Sequence, residues 1–212
     1  LNSFAGIMAG GSSGEEGRRR HALRRTIMDL QDCFTAIERC RIPVLAAVQG
    51  GCIGGGVDLT TACDIRYCAE DTYFVIKEID IGMTADVGTL QRLPNLIADG
   101  LVRELAYTGR KMHAAEAKES GLINAIYADH AALNTGVMEI AQSIAAKSPL
   151  AITGTKEMIN YAREHSVEDG LNHIATWNAG MLVTEDLGEA MGSAQEKREA
   201  VFKDLDKDQK AS

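Results

Sequence analysis

The feature that most constrains this chain is a glycine cluster set inside an apolar stretch, PVLAAVQGGCIGGGVDLTTACDIRYC from Pro43 to Cys68. Val44 to Val48 reads as a buried strand, which empties into Gly50-Gly51-Cys52-Ile53-Gly54-Gly55-Gly56 before apolar character resumes at Val57. Clustered glycines let the backbone take conformations closed to other residues, and they leave its N–H groups open to a ligand. Where such a turn opens a helix, the first N–H groups have no helical acceptor and form an anion site. Two phosphate motifs fail here: the spacing is not G-x-G-x-x-G, and Gly56 is followed by Val57-Asp58 where a P-loop needs Lys and then Ser or Thr. A carbonyl oxygen gaining negative charge is the better guest, because exposed peptide N–H groups are what an oxyanion hole is made of.

The pattern on either side gives the fold class. Leu23, Ile27, Leu30, Phe34 and Ile37 recur at helical spacing between His21 and Arg39, with Arg24, Arg25, Asp32 and Glu38 outward, and Pro43 stops this helix. Before it, residues 9–20 (AGGSSGEEGRRR) mix Gly, Ser and opposite charges and read as a mobile loop. After the glycines, Val57–Cys63 reads as a helix, Ile65–Cys68 and Tyr73–Ile76 as strands, and Leu90–Leu93 and Leu96–Tyr107 as helices. His113–Ser120 reads as a helix closed by Gly121, with a strand over Leu122–Tyr127. That is the rhythm of a parallel sheet with crossover helices. From His130 onward the pattern is only helical, over 130–147, 149–163, 167–182 and 185–203. The expectation is an α/β core over residues 1–128 followed by a helical region over 129–212. Little in residues 1–42 reads as strand and the first residue is Leu1, so the core is expected to be truncated at its start.

Composition closes several functional classes. A chain of 212 residues that is 45% hydrophobic and 25% charged can bury a sizeable core. No apolar run nears the roughly 20 residues of a membrane span, and no secretory signal pattern opens the chain. A net charge of −8 argues against general nucleic-acid binding. The cysteines at 33, 40, 52, 63 and 68 are odd in number and form no C-x-x-C pair, which points to free thiols in a reducing compartment. His21, His113, His130, His165 and His173 are scattered without metal-ligand spacing, so no metal is expected.

Ala46-Ala47-Val48-Gln49-Gly50, Gly54-Gly55-Gly56-Val57-Asp58-Leu59 and Ala62-Cys63-Asp64-Ile65-Arg66 resemble the signature of the crotonase (enoyl-CoA hydratase/isomerase) superfamily. Lys77-Glu78-Ile79-Asp80-Ile81-Gly82 and Ala85-Asp86-Val87-Gly88-Thr89-Leu90-Gln91-Arg92-Leu93-Pro94 resemble one branch of it, the delta(3,5)-delta(2,4)-dienoyl-CoA isomerases. The likeness continues through Thr108-Gly109-Arg110, Ser120-Gly121-Leu122 and Lys147-Ser148-Pro149. It implies a crotonase (ClpP-like) fold of parallel sheets wrapped by helices, with a helical C-terminal region serving assembly into a trimer or a dimer of trimers. An acyl-CoA substrate is implied, with coenzyme A as part of that substrate and no separate cofactor. A place in fatty-acid beta-oxidation follows, in the mitochondrial or peroxisomal matrix if the source is eukaryotic and in the cytoplasm otherwise. The resemblance also sets Leu1-Asn2-Ser3-Phe4 just after a turn that would hold the other half of the oxyanion hole, and it makes the loop at residues 9–20 a cover for the acyl pocket.

By residue type alone, Asp58, Glu78 and Asp86 could each be a solvated carboxylate or a helix cap. The resemblance implies more. Asp58 and Glu78 fall where hydratases carry a pair of glutamates, and Asp86 falls where hydratases generally lack an acid. On that pattern Glu78 serves the alpha carbon of a dienoyl thioester, Asp86 serves the epsilon carbon, and Asp58 is an electrostatic or hydrogen-bonding neighbour. Gly55 aligns with the residue whose N–H stabilises the thioester oxyanion. Lys197 aligns with a lysine that reaches coenzyme A phosphate on a neighbouring subunit, with Ala194 where the family commonly has an aromatic. Two other readings stay open: an enoyl-CoA hydratase using Asp58 and Glu78, and a catalytically silent binding or scaffold protein of the same fold.

Overall fold

A computed structural model of the chain describes residues 15–205. The segment Leu1-Asn2-Ser3-Phe4, residues 9–14 of the expected loop, and Lys210-Ala211-Ser212 lie outside the described residues. Helix α1 (Glu16–Arg39) begins before the expected His21, so residues 16–20 are helical rather than loop. Glu and Arg are good helix formers, and Glu16 pairs with Arg20 one turn on. The apolar stripe of α1 stays largely uncovered by the described residues, with Leu23 and Leu30 44% and 39% exposed. Glu38, expected outward, is instead turned inward between Arg92 and Arg163.

Beyond Pro43 comes β1 (Leu45–Val48), then β2 (Gly51–Ile53), a strand that its flanking glycines conceal from a hydrophobicity reading. Then follow α2 (Gly55–Ala62), β3 (Ile65–Ala69), β4 (Tyr73–Val75) and a 3-10 turn over Glu78–Ile81. Next are α3 (Thr89–Arg92), a second 3-10 turn over Leu93–Asn95, and α4 (Asp99–Thr108). The expected helix from Leu96 instead starts at Asp99, because Ala98 takes an extended cap conformation (φ −57°, ψ 136°) that separates it from the turn at Pro94. β5 (Met112–His113), α5 (Ala114–Glu119) and β6 (Ala125–Tyr127) complete the α/β part. The last of these is shorter than expected: Leu122 and Ile123 are buried but precede the strand.

The strands form two sheets, β1-β3-β6 and β2-β4-β5. All pairs are parallel except β4 with β5, a two-residue strand too short to signal itself in sequence. The main core is built around Cys52, Val57, Phe74, Leu93, Leu105 and Met112. On the first sheet, Tyr67 and Ala69 pack against Leu133 and Val137 of helix α6 (His130–Ala145). Helices α7 (Pro149–Ala162), α8 (Val167–Met181) and α9 (Glu185–Glu196) follow. Ser148, Ser166 and Thr184 cap their N-termini through side-chain oxygens. The last helix stops at Glu196, short of the expected residue 203. Lys197 takes a left-handed conformation (φ 54°) there, and the Arg198 N–H closes on the Ser193 carbonyl. No described helix is long and apolar enough to cross a membrane, and all five cysteines are free.

Candidate active site

The parallel pairing of β2 with β4 sets the site, because Ile53 sits opposite Val75 and both strands end at the same edge. Just beyond, the Gly54 N–H donates to the Val75 carbonyl at 2.9 Å, and its own carbonyl accepts from Val57 N–H at 2.7 Å to start α2. Gly54 holds φ +53°, and a Cβ there would meet Glu78 Oε1 at 3.0 Å, so glycine is required where the carboxylate approaches the backbone. The next two N–H groups, of Gly55 and Gly56, are the first of α2 and find no acceptor among the described residues. Space above Gly55 is open: a Cβ there would meet nothing within 4 Å.

Glu78 stands beside this turn, half-buried. Burial pushes its carboxyl above the usual range, and the negative charges of Asp58 and Asp86 push it the same way. The fold thus sets Glu78 beside the glycine turn that Gly55 continues, and within electrostatic reach of Asp58 and Asp86. Their situations differ. Asp58 is fully buried, and its Oδ1 accepts from the Thr89 N–H at 2.6 Å and the Thr89 hydroxyl at 2.7 Å. Its Oδ2 is buried with no hydrogen-bond partner among the described residues. Asp86 is partly exposed on the loop leading to α3, and its backbone carbonyl accepts from Gln31 Nε2 at 2.6 Å.

Lys197 stands apart. It is exposed at the end of α9, and no hydrogen bond or ion pair of its side chain ties it to the acids among the described residues. No cluster of metal-ligating side chains occurs among the described residues. Residues that sequence reasoning missed are Thr89, Gln31, Arg92 and Glu38, which tie the Asp86 loop to α2 and α1. Thr89 and Arg92 lie within the stretch that carries the family resemblance, but nothing local marks the role of any of the four, since their partners are distant in sequence. A polar cavity of about 360 Å³ lies behind that loop, lined by Gln31, Glu38, Gly88, Arg92 and Arg163. A separate groove of about 440 Å³, lined by Met158, Trp177, Met181 and Leu187, lies among α7 to α9, and none of the acids lines it.

Chemically, a carboxyl of raised pKa beside free peptide N–H groups can take a proton from carbon while the N–H groups hold the charge released. A second carboxyl group on a different loop, in its protonated form, can deliver a proton elsewhere.

A family model described as "Enoyl-CoA hydratase/isomerase" matches residues 5–207. The chain is 50% identical over 206 residues to the peroxisomal Delta(3,5)-Delta(2,4)-dienoyl-CoA isomerase of Arabidopsis thaliana, covering 97% of this chain and 74% of that protein. With the mitochondrial Delta(3,5)-Delta(2,4)-dienoyl-CoA isomerase of Homo sapiens it shares 51% identity over 178 residues, 84% of this chain and about half (54%) of that protein. Among solved structures, the enoyl-CoA hydratase of Bacillus anthracis superposes with a TM-score of 0.81 at 34% identity, covering 90% of this chain and 72% of that one.

Proposed function

The chain belongs to the enoyl-CoA hydratase/isomerase family, and on that premise we propose that it is an isomerase of fatty-acid beta-oxidation interconverting 3,5-dienoyl-CoA and 2,4-dienoyl-CoA. The relatives named dienoyl-CoA isomerases support this reading. The observation that carries it in this chain is the division among the three acids. Glu78 is the half-buried carboxyl whose pKa is raised beside the glycine turn, Asp86 sits on a separate loop, and Asp58 spends one oxygen on two bonds from Thr89.

In the proposed reaction Glu78 takes a proton from the alpha carbon, and the electron pair spreads into a dienolate with its charge on the thioester oxygen. The Gly55 N–H receives that charge, a donor worth about 3 kcal/mol. Asp86, entering the reaction as a carboxylic acid, gives its proton to the epsilon carbon, so the double bonds move from 3,5 to 2,4 with no net change in substrate atoms; exchange with solvent then takes the proton off Glu78 and returns one to Asp86 before the next turnover. Asp58 fixes the start of α3 and adds negative charge near Glu78. Lys197 is the proposed contact for the phosphate of coenzyme A bound to a neighbouring subunit. The relatives are named as peroxisomal and mitochondrial proteins, and a matrix location is proposed for this chain if its source is eukaryotic.

A hydratase reading needs Asp58 and Glu78 to share one water. Asp58 is fully buried with Oδ1 committed to two bonds from Thr89, which leaves only Oδ2, partnerless among the described residues, for that water, and product analysis separates the two readings. Conjugated dienes absorb in the ultraviolet, so the isomerisation is followed directly. The expected outcome is turnover of 3,5-dienoyl-CoA with little hydration of 2-enoyl-CoA; preferred formation of a 3-hydroxyacyl-CoA would move the assignment to hydratase, and no turnover of either would favour a binding protein.

A further inference from the structure

The loop that carries Asp86 is gripped from two sides. On one side Asp58 accepts both bonds from Thr89, at 2.6 and 2.7 Å. On the other side stands α1. Gln31 Nε2 donates to the Asp86 carbonyl at 2.6 Å, and Arg92 Nη1 donates to the Val87 carbonyl at 3.3 Å. The other nitrogen of the same guanidinium, Nη2, donates to Glu38 Oε2 at 2.8 Å and to Thr35 Oγ1 at 3.1 Å, both on α1. Glu38 in turn pairs with Arg163 of the C-terminal part at 3.1 Å. Gly88 makes the arrangement possible: its φ is +135°, and a Cβ there would lie 1.7 Å from Arg92 Nη1. The Arg92 and Glu38 side chains are only 12% and 17% exposed, so the pair is sheltered from water. A guanidinium can hold a carbonyl and a carboxylate at once through its planar fork, which an ammonium cannot match. None of these bonds involves the Asp86 carboxylate; they hold the backbone from which it projects.

We propose that Gln31 and Arg92 are positioning residues for Asp86, with helix α1 holding the 86–88 backbone so that the Asp86 carboxyl meets the far end of the diene. This rests on the reading of Asp86 as the distal proton donor. A displacement of about 1 Å at a reacting group can cost about 100-fold in rate. Loss of the grip therefore slows delivery at the epsilon carbon while leaving Glu78, which is held by the β2–β4 edge, free to work at the alpha carbon.

The test uses the full chain with Gln31→Ala, Arg92→Lys and Asp86→Asn, each checked for folding by thermal denaturation. Gln31 is exposed, so its truncation leaves the fold intact even if Arg92→Lys does not. Isomerisation is measured by diene absorbance, and solvent-deuterium entry at the alpha carbon by NMR. For Gln31→Ala and Arg92→Lys the expected kcat falls by about 10- to 100-fold, KM stays near the parent value, and alpha-carbon exchange continues at the parent rate. Parent-like kcat in both variants, or exchange falling in step with turnover, overturns the proposal. Asp86→Asn separates the two levels: if it isomerises at the parent rate, the reading of Asp86 itself fails. If it stalls turnover while the other two variants do not, only the positioning role fails.

Discussion

Glu78 is held in a state that costs the fold and suits the proposed chemistry. Burial, then the charges of Asp58 and Asp86, raise its carboxyl pKa above that of an unfolded chain. The folded state therefore holds this proton more tightly than the unfolded one. Stability from this group is greatest where both states are protonated, and it is lost as pH rises through the unfolded value towards the folded one. Glu78→Gln removes the charge and keeps the shape. Its melting temperature should exceed that of the parent near neutral pH, and the gap should close below about pH 4, where the unfolded carboxyl is also protonated. The same variant should lose alpha-carbon exchange, since removing a general base costs on the order of 100- to 10,000-fold. A Glu78→Gln protein less stable than the parent at neutral pH would show that the ionised carboxylate is held by favourable contacts. At this scale the motif and its family resemblance marked the acids and Gly55. Thr89 was not legible, because a threonine opening a short helix has no signature until the buried Asp58 is found against it, 31 residues away.

Among elements, the clearest long-range tie is the one fastening α7 to the α/β core. Lys156, 7% exposed, donates to Asp64 Oδ2 at 2.7 Å and to the carbonyls of Ile37 and Ile42 at 3.2 Å. One ammonium thus joins the end of α1, the approach to β1 and the turn before β3. Lys156→Met keeps the length of the stem but leaves the Asp64 carboxylate without its cation, retaining only the Val44 N–H at 2.7 Å. Breaking a buried pair from one side costs about 3–5 kcal/mol, and the low end is expected here because Asp64 is 23% exposed. Urea denaturation measures it. A loss under about 1 kcal/mol, the worth of an exposed pair, would show that α7 is held by its apolar contacts. The helices themselves were legible from their spacing. Their ends were less so: α1 ran further back because charged helix formers carry no apolar period, and α9 ended early at a left-handed Lys197.

For the molecule as a whole, the helices after α6 leave much apolar surface uncovered: Ile159, Val167, Leu171 and Val183 are 65%, 80%, 63% and 92% exposed. Large apolar side chains left this exposed are candidates for an interaction surface, and the proposal is that copies of this chain meet there as a trimer or a dimer of trimers. Light scattering at micromolar concentration should give at least three times the protomer mass. A clean monomer would refute the interface.

The sequence by itself determined the class of the fold, and through its motifs the family to which the chain belongs. Period 2 and period 3.6 are local patterns, and a glycine cluster can be seen without knowing what surrounds it. Only the tertiary structure decided how differently the three acids are placed. That placement depends on the β2–β4 register bringing Gly54 under Glu78, on Asp58 meeting Thr89, and on Glu38 turning inward to Arg92. Each of these is a contact between residues far apart along the chain, and a polar side chain has no period that says whether it will face water or a buried partner.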